Sequence, residues 1–210
     1  MKPNDGFMSR KHIIEGTNNC LKRLQLDYVD LIFSHRPDYQ TPLTETVKAF
    51  SWLIDKGKAL YWGTSEWPPE MISRAVEICD KYGYHKPVVE QCEYNMLMRT
   101  RFEKEYRRIF SENKIGTTVW SPLGGGILAG KYNEGAKVAG ARYEEWKGPI
   151  MDKIWSKYMN EQNLEGTLKK MRAMGDYAKE LGYTQAQLAL AWVLASTDVS
   201  TCMLGFSRLE

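Results

Sequence analysis

The stretch YVDLIFSHRPD, residues 28–38, runs from a short apolar alternation into a histidine, an arginine and a proline. A run of this length closed by a Pro-containing loop reads as a buried strand. The segment TPLTETVKAFSWLIDKG (41–57) follows, with Thr41 as N-cap candidate, Pro42 in the first turn and Gly57 as the stop, and reads as a helix. The order recurs: ALYWGTSEW (59–67) precedes PPEMISRAVEICDKYG (68–83), PVVEQCEYNM (87–96) precedes RFEKEYRRIFSENK (101–114), and GTTVWSPL (116–123) leads through a long loop into a helical region before STCMLGF (200–206). Strands are expected near 28–34, 59–64, 88–92, 116–120 and 201–205, all parallel. Successive units share no repeat consensus, so a solenoid is not indicated.

The chain is 210 residues long, 43% apolar and 26% charged, with a formal net charge of +3. These values fit one soluble domain able to bury a core, and they give no basic footprint for nucleic acid. Cys20, Cys79, Cys92 and Cys202 are scattered without a C-x-x-C pair, so neither a disulfide framework nor a metal site is expected, and a cytoplasmic location is. The most apolar run, LALAWVLA (188–195), is far shorter than a bilayer span.

An open doubly wound sheet and a barrel both satisfy this periodicity. The ends of the strands separate them, because polar groups close every one: His35, then Ser65 and Glu66, then Gln91 and Glu93, then Ser121, then Ser207. In a (β/α)8 barrel all such ends ring one face, whereas an open sheet gathers its ligand groups at one switch point. No G-x-G-x-x-G follows a strand, so the dinucleotide fingerprint of the open sheet is missing. An α/β TIM barrel is the expected fold.

SRKHIIEG (9–16), LQLDYVDLIFSHRPD (24–38), TPLTETVKAF (41–50), WGTSEW (62–67), VEQCEYNM (89–96), WSPLGGGILAGKY (120–132) and QLALAWVL (187–194) together resemble the aldo-keto reductase superfamily, most closely its branch of voltage-gated potassium channel beta subunits. The resemblance implies a TIM barrel, NADPH as cofactor and hydride transfer to a small aldehyde or ketone. It also implies a catalytic tetrad of Asp, Tyr, Lys and His, whose first three members belong to βα units earlier than SRKHIIEG. With about five of eight units legible, residues 1–210 are expected to be the C-terminal portion of a single reductase domain, impaired in turnover and prone to aggregate by itself.

Carried over position by position, the resemblance makes His35 the tetrad histidine, which would hydrogen-bond the substrate carbonyl. The channel beta subunits resemble this chain but carry asparagine there, which favours chemistry over regulation. Ser65 and Gln91 match the clamp on the nicotinamide carboxamide, where orientation is what the protein supplies. Glu66 stands where the family has a basic or amide residue and receives no role. Trp120 matches the aromatic that stacks on the nicotinamide. Ser121, Leu123 and Gly125 fall in the loop that wraps the pyrophosphate, where glycines admit close approach of phosphate oxygens to backbone N–H groups. Lys131 and Arg142 match a basic pair at the phosphates, and Ser207, with Arg208, matches the contact to the 2′-phosphate that distinguishes NADPH.

Each position has a plainer reading. His35 can be a satisfied strand-end histidine, Ser65 and Gln91 loop caps, the GGG run a flexible turn, and Lys131 and Arg142 a solvated pair. Trp52, Trp155, Trp192 and the methionines of MNEQNLEGTLKKMRAMG (159–175) read as packing or surface positions, KEYRRIF (104–110) as a solvated helix face, and His12 and His85 carry no partner spacing. Two functions stay open: an NADPH-dependent carbonyl reductase, and an NADPH-sensing regulatory subunit of a potassium channel. The resemblance also implies a homotetramer or a membrane-channel partner, with no direct membrane insertion.

Overall fold

The computed structural model describes residues 7–205. Among these residues the chain alternates α1 (Arg10–Leu24), β1 (Val29–Ser34), α2 (Leu43–Asp55), β2 (Ala59–Ser65), α3 (Pro69–Tyr82), β3 (Val89–Gln91), α4 (Arg107–Asn113) and β4 (Gly116–Val119). It then continues through α5 (Arg142–Glu145), α6 (Pro149–Tyr158), α7 (Leu164–Glu180), α8 (Gln185–Leu194) and β5 (Thr201–Cys202). The five strands form a parallel sheet in the order β1-β2-β3-β4-β5. Strand order that never reverses is that of consecutive βα units of a (β/α)8 barrel and not of a doubly wound sheet. No helix of the described residues is long and apolar enough to cross a membrane.

The chain divides into two compact units, one of Met1–Cys92 with Glu103–Thr118 and one of Glu93–Phe102 with Val119–Glu210. In the first, Ser34 pairs with Thr64, Ser65 with Gln91 and Glu90 with Thr117, so the C-terminal ends of β1, β2 and β3 share one edge. Helix α1 packs on α2, α2 on α3 and α3 on α4. The core centres on Phe50 of α2 stacked on Trp62 of β2, with ring centroids 4.9 Å apart. Trp62 is fully buried and donates its indole N–H to the His85 carbonyl at 2.7 Å, so its one polar atom is satisfied. Gly63 serves close approach: a Cβ there would stand 2.4 Å from Val89 Cγ1 and 2.6 Å from the Val89 carbonyl.

The second unit is built on Ile127, Leu128, Tyr132, Tyr143, Met171 and Ala189. Tyr132, Tyr143 and Trp155 meet edge to face, with centroids 5.2–5.5 Å apart. Helix α8 starts at a capping box, where the Thr184 side chain takes the Gln187 N–H and the Gln187 side chain takes the Thr184 N–H.

Four sequence expectations need correction. Thr41 does not cap α2; its N–H turns to Asp38 Oδ1 at 3.4 Å, so the chain is still in the Asp38 turn and the helix opens only after Pro42. RFEKEYRRIFSENK is not one helix but a single wide turn, Arg101–Glu105, followed after Tyr106 by α4. Nor is KEYRRIF solvated throughout: Tyr106, Ile109 and Phe110 are buried, an i, i+3, i+4 apolar set, while Lys104, Glu105, Arg107 and Arg108 are exposed. The last strand is also shorter than expected, two residues, with Met203 N–H continuing to the Val119 carbonyl at 2.9 Å.

Candidate functional site

The shared edge of the first unit carries three of the expected residues. His35 follows the last residue of β1 and is exposed; Ser65 ends β2 and is buried; Gln91 ends β3 and is partly buried. The Ser65 hydroxyl donates to the Gln91 carbonyl at 3.0 Å, and Gln91 Nε2 donates to Thr118 Oγ1 at 3.3 Å. Arg36, which sequence reasoning passed over although it adjoins His35, donates from Nη1 to the His35 carbonyl at 2.5 Å and to Ser65 Oγ at 3.0 Å. A serine oxygen has two lone pairs and one proton, so Ser65 keeps one further acceptor position.

Beneath that edge lies Glu90, a fully buried carboxyl on β3 that was also missed. Thr64 Oγ1 donates to its Oε2, and the Glu66 N–H donates to its Oε1 at 2.6 Å. Tyr106 Oη lies 3.3 Å from the same Oε1 while donating to the Trp67 carbonyl at 2.6 Å. Burial pushes the Glu90 pKa up to about 7, against the hydrogen bonds from the Thr64 hydroxyl and the Glu66 N–H that pull it down. The only sequence signal was an acidic residue inside an apolar strand.

The loop after His35 is fixed by Asp38. Its Oδ2 accepts the Met8 N–H at 2.7 Å and its Oδ1 the N–H of Gln40 at 2.8 Å. Burial raises the Asp38 pKa, but the hydrogen bonds from the Thr41 side chain and from the backbone of Met8, Gln40 and Thr41 together outweigh it and leave the carboxyl below its ordinary value.

In the second unit, partly buried Trp120 leads into Ser121, which is left-handed at φ 52. Buried Asn95 donates from Nδ2 to the Ser121 carbonyl at 3.0 Å and contacts Tyr158 Oη at 3.2 Å. Tyr158 donates to Glu93, as does Lys157, whose ammonium also stands 5.8 Å from the Trp120 ring centroid. Burial and then the neighbouring Glu93 carboxylate raise the Tyr158 pKa far above the ordinary phenol value, which keeps the donor proton in place. Nothing in sequence announced this cluster, since Asn95 and Tyr158 lie 63 residues apart.

After Leu123, the glycines 124–126 take φ of 56°, 67° and 102°. Gly125 faces the Tyr143 hydroxyl, whereas no atom would meet a Cβ on Gly126 within 4 Å. Arg142, on α5, is exposed and reaches the Gly125 carbonyl at 3.4 Å, and Lys131 is exposed after Gly130. Ser207 and Arg208 lie outside the described residues.

The model of the Aldo/keto reductase family matches residues 1–210. Among curated proteins, the chain is 44% identical over 208 residues to a "Probable voltage-gated potassium channel subunit beta" of Arabidopsis thaliana, covering 98% of this chain and 61% of that protein. It is 41% identical over 208 residues to a protein of the same description from Oryza sativa subsp. japonica, again covering 98% of this chain and 61% of the relative. The chain thus spans about three fifths of the length of the curated relatives it matches.

Proposed function

This chain belongs to the aldo/keto reductase family, and from that premise we propose that it serves NADPH-dependent reduction of aldehydes or ketones to alcohols. The observation that carries the reading is the register at the strand ends of the first unit: Ser65 opposite Gln91, with His35 on the same edge. Ser65 would accept a carboxamide N–H on its remaining lone pair, and Gln91 beside it would fix which ring face is presented. His35, exposed at the strand end, would donate a hydrogen bond to the substrate carbonyl oxygen.

Within the second unit, Trp120 would stack on the nicotinamide, and Ser121, Leu123 and Gly125 would give backbone contacts to the pyrophosphate. The positive φ of Ser121 and of three successive glycines, with open space at Gly126, fits a backbone turned to meet an anion. Gly125 fits less simply, because Tyr143 already occupies the space its missing side chain leaves. Lys131 and Arg142 are exposed cations suited to phosphate, and Ser207 is assigned the 2′-phosphate on resemblance alone. When bound, NADPH supplies the hydride; the residues named here hold, orient and hydrogen-bond. Residues 1–210 are taken as one portion of a single reductase domain located in the cytoplasm.

The test is NADPH oxidation with 4-nitrobenzaldehyde, for residues 1–210 and for any longer reading frame that contains them, each with His35→Ala. Turnover lost by about 10² or more in His35→Ala, the lower end of what one positioned proton donor contributes, is expected; an unaffected variant removes His35 from the chemistry. The expectation of weak turnover by residues 1–210 alone is read from the same assay.

The description of the plant relatives favours a second reading, an NADPH-sensing regulatory beta subunit of a voltage-gated potassium channel, with a homotetramer or a membrane channel as partner. Co-purification with a channel from membranes, in the absence of turnover, is the result that would select it.

A further inference from the structure

Position 66 is strained, and the strain sits beside a residue with a proposed job. Glu66 takes φ +56, a left-handed conformation that a side chain bearing a Cβ disfavours. It directly follows Ser65, the proposed carboxamide contact. Something must hold the backbone there.

The Glu66 N–H faces two acceptors, and Glu90 supplies the nearer. The Glu66 N–H lies 2.6 Å from Glu90 Oε1 and 3.2 Å from the Gln91 carbonyl, so the carboxyl is the nearer acceptor. The other carboxyl oxygen takes the hydroxyl of Thr64, the residue on the other side of Ser65. One buried side chain therefore bonds both sequence neighbours of Ser65. Tyr106, donating to the Trp67 carbonyl, closes the third side. Among the described residues no cation pairs with Glu90, so no ion pair explains the carboxyl, and an apolar residue would have filled a β3 position at less cost.

We propose that Glu90 is a positioning residue, whose carboxyl holds the Thr64 side chain on one side of Ser65 and the Glu66 backbone on the other and thereby aims the Ser65 hydroxyl at the nicotinamide carboxamide. The inference rests on the reading of Ser65 given above.

The test uses Glu90→Gln, Glu90→Leu, Ser65→Ala and the double variant Glu90→Leu/Glu66→Gly, with NADPH affinity read by fluorescence titration. Glutamine keeps an oxygen for the Glu66 N–H and offers Thr64 an amide donor, so it should bind NADPH as the wild type does. Leucine offers neither and should weaken binding about tenfold, the scale of one lost polar contact. Adding Glu66→Gly, which takes positive φ without strain, should restore affinity that a merely structural defect would not recover. Folded Glu90→Leu with unchanged affinity, while Ser65→Ala binds weakly, overturns the inference. Unchanged affinity in Ser65→Ala removes instead the carboxamide reading beneath it.

A second readout needs no cofactor. The Glu66 amide proton should resonate downfield in the wild type and in Glu90→Gln, and should move upfield in Glu90→Leu. Should Glu90→Leu not fold, a wild-type Glu66 amide at an unbonded position decides against the proposal.

Discussion

Tyr143 donates its hydroxyl to the Gly125 carbonyl at 3.1 Å, and that hydroxyl stands 2.6 Å from where a Cβ on Gly125 would be. The glycine run of the second unit is thus shaped by the helix pair that follows it as well as by any ligand. Gly125→Ala should destabilise the fold by about 1–3 kcal/mol, combining φ +67 with overpacking against Tyr143 and Ile154. Tyr143→Phe removes the colliding oxygen, so Gly125→Ala should cost less in that background. Urea unfolding of the four-member cycle measures the coupling, and strict additivity would show that the hydroxyl is not what Gly125 accommodates.

The strand pair at Gly63 makes a contrasting case. A Cβ there meets both the Val89 side chain and the Val89 carbonyl, at 2.4 and 2.6 Å. Shortening the side chain cannot move the carbonyl. Gly63→Ala should therefore remain destabilising, by about 2 kcal/mol or more, in a Val89→Ala background as well as alone. Rescue by Val89→Ala would mean that β2 and β3 are not held as closely as described.

Much of this arrangement was legible in the sequence because it follows from local pattern. The apolar runs gave the strands to within a few residues, and polar residues at their ends pointed to His35, Ser65 and Gln91 on one edge. What was hidden depended on side-chain partners that periodicity does not name, some of them distant in sequence. Asp38 claims the Thr41 N–H and so delays α2 past its expected cap. Tyr106, Ile109 and Phe110 carried a readable helical spacing, but the intervening arginines obscured it. Glu90 carries no sequence signal beyond an acid in an apolar strand, because the groups that bond it, Thr64, Glu66 and Tyr106, come from other segments of the chain. The Asn95–Tyr158–Glu93 cluster joins residues that no spacing rule relates.

Glu90 gives stability a pH dependence of definite sign. Its pKa is raised from 4.5 to about 7 mainly by burial, so between those values the native state binds more protons than the unfolded chain. Its contribution is complete below 4.5 and is lost as pH rises through about 7. At about 1.4 kcal/mol per pKa unit, the loss is roughly 3 kcal/mol. Glu90→Gln cannot ionise, so its unfolding free energy relative to the wild type should improve as pH rises from 5 to 8, measured by urea titration. A constant difference across that range would show that Glu90 is already ionised in the fold.

Asp38 has the opposite sign and a different geometry. Its folded pKa lies below 3.8, so the unfolded chain binds more protons in that window; the contribution is present above 3.8 and is lost as pH falls through the folded value. The two carboxyl oxygens have separate duties, Oδ2 for Met8 and Oδ1 for Gln40 and Thr41. Asparagine can keep the Oδ1 contacts but presents an N–H₂ to the Met8 N–H, whereas alanine abandons all three. Asp38→Asn should therefore cost about 1 kcal/mol and Asp38→Ala about 2 kcal/mol, on the scale of buried hydrogen bonds left unmade. Both variants should lose the part of the acid-side slope below pH 4 that Asp38 contributes. Chemical denaturation at pH 3 and pH 6 separates the terms: equal costs at both values would show that the Asp38 charge contributes nothing to the loop that carries His35.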